Sequence, residues 1–265
     1  MGKRKRGPQL QISEKASAKK PKHKEDDKTF TTPEGQTFPI ELKRYWDIRR
    51  NLFWRFDEGI QIDEEGLFSV TPEIIAQDTA SRVAQLHNKK DEYGRICVID
   101  AFCGVGGNTI KFAEWCEHVI AIDVDTKRLE MARNNAEVYG VADRIEFILG
   151  DFYQLAPTLK ADVVFMSPPW GGPKYVNADA FDLDSMPFHT AQEWMDSARR
   201  ISDNVVFFMP RNCDPIQLAD LCPDIPCDIE LNYTNGIFKA ITAYYGDLAH
   251  CSSSNPRQLL PNDSE

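Results

Sequence analysis

Ser167, Pro168, Pro169 and Trp170 follow the apolar run Val163-Val164-Phe165-Met166 and lead into Gly171-Gly172-Pro173. Proline rigidity fixes a carbonyl that can accept from a planar exocyclic amine, and a tryptophan can hold the base that bears the amine by its face. Ser167 adds a small hydroxyl beside the same carbonyl. A rigid turn with a packed tryptophan is the other reading of these residues. An aromatic amine is a weak nucleophile, and no conventional base stands in the motif. The chemistry therefore rests on positioning and on polarising the amine, its proton leaving late to solvent or through Ser167.

A second constellation lies upstream in Asp100-Ala101-Phe102-Cys103-Gly104-Val105-Gly106-Gly107. Gly104, Gly106 and Gly107 let the backbone turn tightly and approach a ligand, and Asp100 can accept from a ligand ammonium. Asp123, twenty-three residues beyond Asp100, is placed to take both hydroxyls of a ribose. These features fit nicotinamide dinucleotide and S-adenosylmethionine sites alike. Asp151 is placed either to bond an adenine amine or to cap the helix that begins at Phe152. Nicotinamide chemistry has no use for Ser-Pro-Pro-Trp, whereas methyl transfer to an amine does.

Such residues must be held by elements, and the pattern around them supplies strands and helices in alternation. Strands are expected at 96–101, 118–122, 145–149, 161–166 and 204–209. The helices between them are expected at 108–115, 127–139, briefly after Asp151, 191–200 and 215–221. Short β-branched strands alternating with helices describe a parallel sheet covered on both faces. Two further strands, 228–233 and 238–245, flank Asn235-Gly236 and should form a hairpin. Ahead of the sheet, 41–57 reads as one aromatic and basic helix. Thr71-Pro72 then reads as the start of another, with Thr71 capping. The expected class is α/β, a seven-stranded, mostly parallel sheet ending in an antiparallel hairpin, as in class I methyltransferases, with a small N-terminal helical extension.

The chain is 42% apolar and 27% charged, enough for one globular domain plus a tail, and no apolar run is long enough for a membrane span. Seven cysteines show no Cys-x-x-Cys pair and no partner histidine at zinc spacing, so they read as reduced thiols and no metal site is expected. The net charge of -10 is uneven. Residues 1–30 hold ten Lys/Arg against four Asp/Glu, leaving 21 basic and 37 acidic side chains in the rest. An acidic body argues against broad duplex binding and for a local grip on any nucleic acid. Within the polar tail, Lys3–Arg6 and Lys19–Lys24 are two basic clusters spaced like a bipartite nuclear-import signal.

The chain resembles the trimethylguanosine synthases, the RNA cap guanine-N2 methyltransferases. The resemblance is carried by D-A-F-C-G-V-G-G-N-T at 100–109, A-R-N-N-A-E-V-Y-G at 132–140, A-D-V-V-F-M-S-P-P-W-G-G-P at 161–173, P-R-N at 210–212 and I-T-A-Y-Y-G-D at 241–247. It extends over roughly 40–248. It implies that Asp100, Gly104, Gly106, Asp123 and Asp151 line an S-adenosylmethionine site closed by Phe53 and Thr71. It also implies that Trp170 stacks on 7-methylguanine with Ser167 and Pro168 near the amine, and that Arg211 and Arg44 meet the cap phosphates. Relatives can carry Lys where Arg44 stands.

The product implied is a 2,2,7-trimethylguanosine cap on small nuclear and nucleolar RNAs. The partners implied are 7-methylguanosine-capped RNA and recruiting small ribonucleoprotein proteins, and the location implied is the nucleus, in the nucleolus. The expected organisation is a disordered basic tail over 1–30, the extension over 31–90, the methyltransferase domain over 91–248 and a loose tail over 249–265. Competing readings are an adenine-amine or glutamine-amide methyltransferase, whose families carry a related Pro-Pro-aromatic segment, and a cap-binding module without catalysis.

Overall fold

The computed structural model describes residues 28–86, 95–172 and 178–251. Both basic clusters of the tail lie outside the described residues, as does most of the C-terminal tail. Two compact units divide the chain at Ile40. In the first, β1 (Thr29–Thr31) pairs antiparallel with β2 (Thr37–Pro39) and the Phe30 and Phe38 rings meet at 5.8 Å. This small hairpin was not expected from the sequence, where its three-residue strands are too short to show a period.

The second unit begins with α1 (Lys43–Asp47) and α2 (Arg49–Leu52), followed by a single 3-10 turn at Phe56–Glu58. The single helix expected over 41–57 is therefore broken, at Ile48 and again at Phe53, whose backbone is extended. Packing explains the break. A straight helix would separate Trp46 and Phe56 by about 15 Å along its axis, yet their rings meet edge to face at 5.3 Å. Folding the chain back buries Trp46, Leu52, Phe53 and Phe56 together. Then come α3 (Glu64–Ser69), capped by Asp63, and α4 (Glu73–Ala84). Thr71 does not cap α4. Pro72 takes that position, and the Thr71 hydroxyl accepts instead from Asn108 Nδ2 at 2.9 Å.

Seven strands form the main sheet: β3 (Cys97–Asp100), β4 (His118–Asp123), β5 (Ile145–Leu149), β6 (Val163–Met166), β7 (Val205–Pro210), β8 (Cys227–Thr234) and β9 (Ile237–Tyr245). Their order is β5-β4-β3-β6-β7-β9-β8. The pairs from β5 to β7 are parallel, and β9 is antiparallel to both neighbours. Every residue of β6 and β7 is buried, as strands covered on both faces require. The covering helices are α5 (Gly107–Trp115), α6 (Thr126–Tyr139), α7 (Phe152–Leu155), α8 (Ala191–Arg199) and α9 (Pro215–Asp220). Asn235 and Gly236 both take positive φ, 52° and 72°, the geometry of the tight turn that joins β8 to β9.

Two ties fix α4 to this frame. Glu73, at the start of α4, accepts from Lys111 Nζ of α5 at 2.6 Å and from the Tyr139 hydroxyl of α6 at 3.0 Å. Arg82, only 3% exposed, lies 3.8 Å over the Tyr244 ring, donates to the Leu248 carbonyl and pairs with Asp228 and Glu230. The order of the strands reverses between β3 and β6, so the C-terminal ends of these two neighbours open a crevice at the switch point.

Candidate active site

That crevice is a cavity of about 770 Å³. The loop after β3 forms one side. Gly104 has φ +52°, and a Cβ placed there would meet nothing within 4 Å, so its backbone faces open space. Its N–H donates to Asp123 Oδ2 at 2.9 Å, and Asp123 Oδ1 accepts from the Asp125 N–H at 2.9 Å. Burial pushes the Asp123 carboxyl above the usual carboxylate range. Asp151 lines the wall beyond β5 while its Oδ1 accepts from the Tyr153 N–H at 2.9 Å, so it caps α7 and faces the cavity together.

Opposite this loop, β6 delivers Ser167, Pro168, Pro169 and Trp170 to the wall. Gly171 and Gly172 both take positive φ, which turns the chain sharply behind the indole. One face of Trp170 is backed by Phe208 of β7, ring centroids 5.6 Å apart and 30° from parallel. From the extension, Thr71 joins the lining beside Val70 and Phe68. One cavity thus gathers Thr71, Gly104, Asp123, Asp151, Ser167, Pro168 and Trp170.

Five other expected residues stand off the wall. Asp100 is 1% exposed behind the loop, and its Oδ2 accepts from the Thr109 hydroxyl at 2.6 Å. Burial pushes its pKa up to about 7. Gly106 faces α6, where an added Cβ would lie 3.3 Å from Ala132 Cα, so its bareness serves helix packing. Phe53 is buried, with its ring tip 4.0 Å from where a Cβ on Gly107 would lie. Arg44 is exposed, its guanidinium 4.7 Å over the Tyr45 ring. Arg211 is exposed directly after β7.

Sequence reasoning did not single out Asp63, Glu65, Arg128, Phe188 and His189, which also line the cavity. Arg128 donates to Asp63 Oδ2 at 3.0 Å and also pairs with Glu65, locking α3 to α6. In the sequence, Asp63-Glu64-Glu65 reads as a solvated acidic run, and only the fold brings Arg128 to it. The described wall therefore carries Asp63, Glu65, Asp123 and Asp151 against Arg128, an acidic lining suited to a cationic ligand with hydroxyl groups. The open backbone at Gly104 and the carboxylate at Asp123 fit the amino-acid and ribose portions of S-adenosylmethionine. Among the described residues no cluster is suited to hold a metal ion and no helix is long and apolar enough to cross a membrane. All seven cysteines are free thiols.

A family model described as RNA cap guanine-N2 methyltransferase matches residues 95–248. The chain is 41% identical over 187 residues to the trimethylguanosine synthase of Schizosaccharomyces pombe, a match covering 68% of this chain and 75% of that one. With the trimethylguanosine synthase of Saccharomyces cerevisiae it shares 35% identity over 219 residues, 78% of this chain and 68% of the other. The solved SAM-dependent methyltransferase of Agrobacterium tumefaciens superposes with a TM-score of 0.50 at 15% identity, covering 67% of this chain and 63% of that one, a likeness of fold.

Proposed function

The chain belongs to the RNA cap guanine-N2 methyltransferase family, and on that premise we propose that its cavity converts the 7-methylguanosine cap to the 2,2,7-trimethyl form by two transfers to the guanine exocyclic amine. The protein is an S-adenosylmethionine-dependent methyltransferase acting on an RNA cap. The observation that carries the finer reading is the convergence of Ser167, Pro168 and Trp170 with Gly104 and Asp123 on one cavity at the switch point.

Bound there, S-adenosylmethionine supplies an electrophilic methyl group. Asp123, Gly104, Asp151 and Thr71 hold it, with Asp100 and Phe53 supporting the loop from behind, and Gly106 sets the approach of that loop to α6. Trp170 stacks on the base, whose 7-methylation makes it cationic. The indole face attracts such a cation by about 0.5 to 2 kcal/mol, more as the site dries. Ser167 and Pro168 receive the amine at the rigid end of β6, orient its lone pair and polarise its N–H bonds. The proton leaves late, to solvent or through Ser167. Arg211, exposed after β7, takes the cap phosphates, with Arg44 as a second contact.

We further place the catalytic domain at 91–248, with 31–90 as its extension and 1–30 and 249–265 as tails. Small nuclear and nucleolar RNAs are the proposed substrates, delivered by ribonucleoprotein proteins. The clusters at Lys3–Arg6 and Lys19–Lys24 support a nuclear location, with the nucleolus as the place of action. Family membership does not favour the adenine-amine, glutamine-amide or non-catalytic alternatives. Transfer of labelled methyl to 7-methylguanosine cap analogue, run beside unmethylated guanosine cap, tests the reading. Product only on the methylated cap supports it, and equal product on both removes the role given to base charge.

A further inference from the structure

Phe188 is the cavity residue whose backbone is least comfortable. Its φ is +71°, a region that a bulky L-residue adopts only under constraint. The His189 N–H donates to the Pro187 carbonyl at 2.9 Å, closing a three-residue γ-turn with Phe188 at its apex. The ring that this strained turn projects is 84% exposed, although it lines the cavity. Neither burial nor a local hydrogen bond of the side chain explains why a phenylalanine stands there.

The flanks show that the turn is enforced. His189 stacks on Tyr153 with centroids 3.9 Å apart and planes 12° apart, and it meets Trp194 edge to face at 4.6 Å. Thr190 closes a reciprocal capping box with Glu193 at the start of α8, and the Ala191 N–H donates to the Leu183 carbonyl. On the other side Met186 is buried, and Pro187 Cγ lies 3.9 Å from where a Cβ on Gly171 would sit. The corner thereby lies beside the turn that carries Trp170. Strain held in place by its surroundings at the edge of a site marks a positioned group.

Trp170 and Phe188 line the same cavity, so a base stacked on Trp170 lies in the space that the Phe188 ring also faces. We infer that Phe188 supplies a second aromatic contact to that base, on the face turned away from Trp170, and so helps select the cationic 7-methylated guanine. This inference rests on the proposed stacking of the base on Trp170. A ring standing in solvent loses little on binding and gains a flat cationic partner, and a second π face adds to the discrimination against neutral guanine.

Equilibrium binding of 7-methylguanosine triphosphate and of GTP, with melting temperatures, tests it on the full chain and on Phe188→Gly, Phe188→Leu, Phe188→Tyr and Trp170→Ala. Phe188→Gly and Phe188→Leu should each weaken the methylated nucleotide about 3- to 30-fold and GTP much less. Phe188→Tyr should stay within about twofold of the parent. Phe188→Gly should melt no lower than the parent, because glycine accepts the positive φ freely. Unchanged affinity in Phe188→Gly, or in Phe188→Leu, alongside a loss in Trp170→Ala overturns the role of Phe188 alone. A parent protein that does not prefer the methylated nucleotide overturns the stacking reading itself, and the inference with it.

Discussion

The Asp123 carboxylate accepts the Gly104 N–H at 2.9 Å, so the acid that ends β4 also props the open backbone that follows β3. One side chain thus sets the shape of the loop and faces the proposed ribose position. Asp123→Ala removes both functions. Apparent affinity for S-adenosylmethionine should fall about 10- to 100-fold, the loss expected for hydrogen bonds to a charged group. The check is the rise in melting temperature with added S-adenosylmethionine, which should shrink in the variant. Asp123→Asn, which can still accept from Gly104, should fall between the two.

Asp100 gives the fold a pH signature. Burial raises its pKa from the ordinary 3.8 to about 7, against the opposing hydrogen bond from Thr109. Between those values the folded protein retains a proton that the unfolded chain has released. The contribution to stability is therefore full below about pH 4, is lost as pH rises through about 7, and is constant above that. Asp100→Asn carries no charge at any pH and should lack this slope, gaining relative to the parent by up to roughly 4 kcal/mol across the window. Denaturant unfolding of both proteins between about pH 4 and 8 measures the difference. Parallel curves would mean that Asp100 ionises normally.

Arg82 is the tie between α4 and the C-terminal hairpin. The residue is 3% exposed, and its guanidinium serves the Leu248 carbonyl, Glu230 and Asp228 at once and covers the Tyr244 ring. Arg82→Met keeps the apolar stem but takes the guanidinium from the partly buried Glu230 and from Asp228, and leaves the Leu248 carbonyl with the Cys251 N–H as its remaining donor. A loss of roughly 2 to 3 kcal/mol is expected, less than for a fully buried pair because Asp228 is half in solvent. For a chain of this size that corresponds to a fall in melting temperature of about 5 to 10 °C. Methyl transfer measured well below the transition should be little changed, since Arg82 lies away from the cavity.

The parallel core was legible because its strands are short, apolar and punctuated. β5 matches the expected 145–149 throughout, and the other strands differ only at their ends. Asn235-Gly236 announced its hairpin through the one turn that needs two positive φ values. The break at Ile48 was not legible, because helical spacing of aromatics says nothing about whether Phe56 folds back onto Trp46. Nor could spacing separate residues on the cavity wall from those behind it. Gly104 and Gly106 belong to the same loop motif, yet one faces the cavity and the other faces Ala132. Phe188 and Arg128 come from segments with no chemical pattern of their own, and only the fold brings them to the site.

The two arginines offered for the cap phosphates make unequal predictions. Arg211 is exposed directly after β7, on the side of the sheet where β6 delivers Trp170. Arg44 is exposed as well, but its guanidinium lies over Tyr45 and its Nη2 donates to the Tyr45 hydroxyl at 2.9 Å. Using Arg44 means giving up or sharing that contact, so its net contribution should be the smaller. Arg211→Ala should raise KM for a triphosphate-bearing cap about 5- to 50-fold and flatten its dependence on salt, because a charge-assisted contact to phosphate is lost. Arg44→Ala should cost less on the same substrate. Neither variant should alter the response to 7-methylguanosine nucleoside, which has no phosphate to grip. Equal losses on nucleoside and triphosphate would show that Arg211 acts through the shape of the site, and its role as a phosphate contact would be withdrawn.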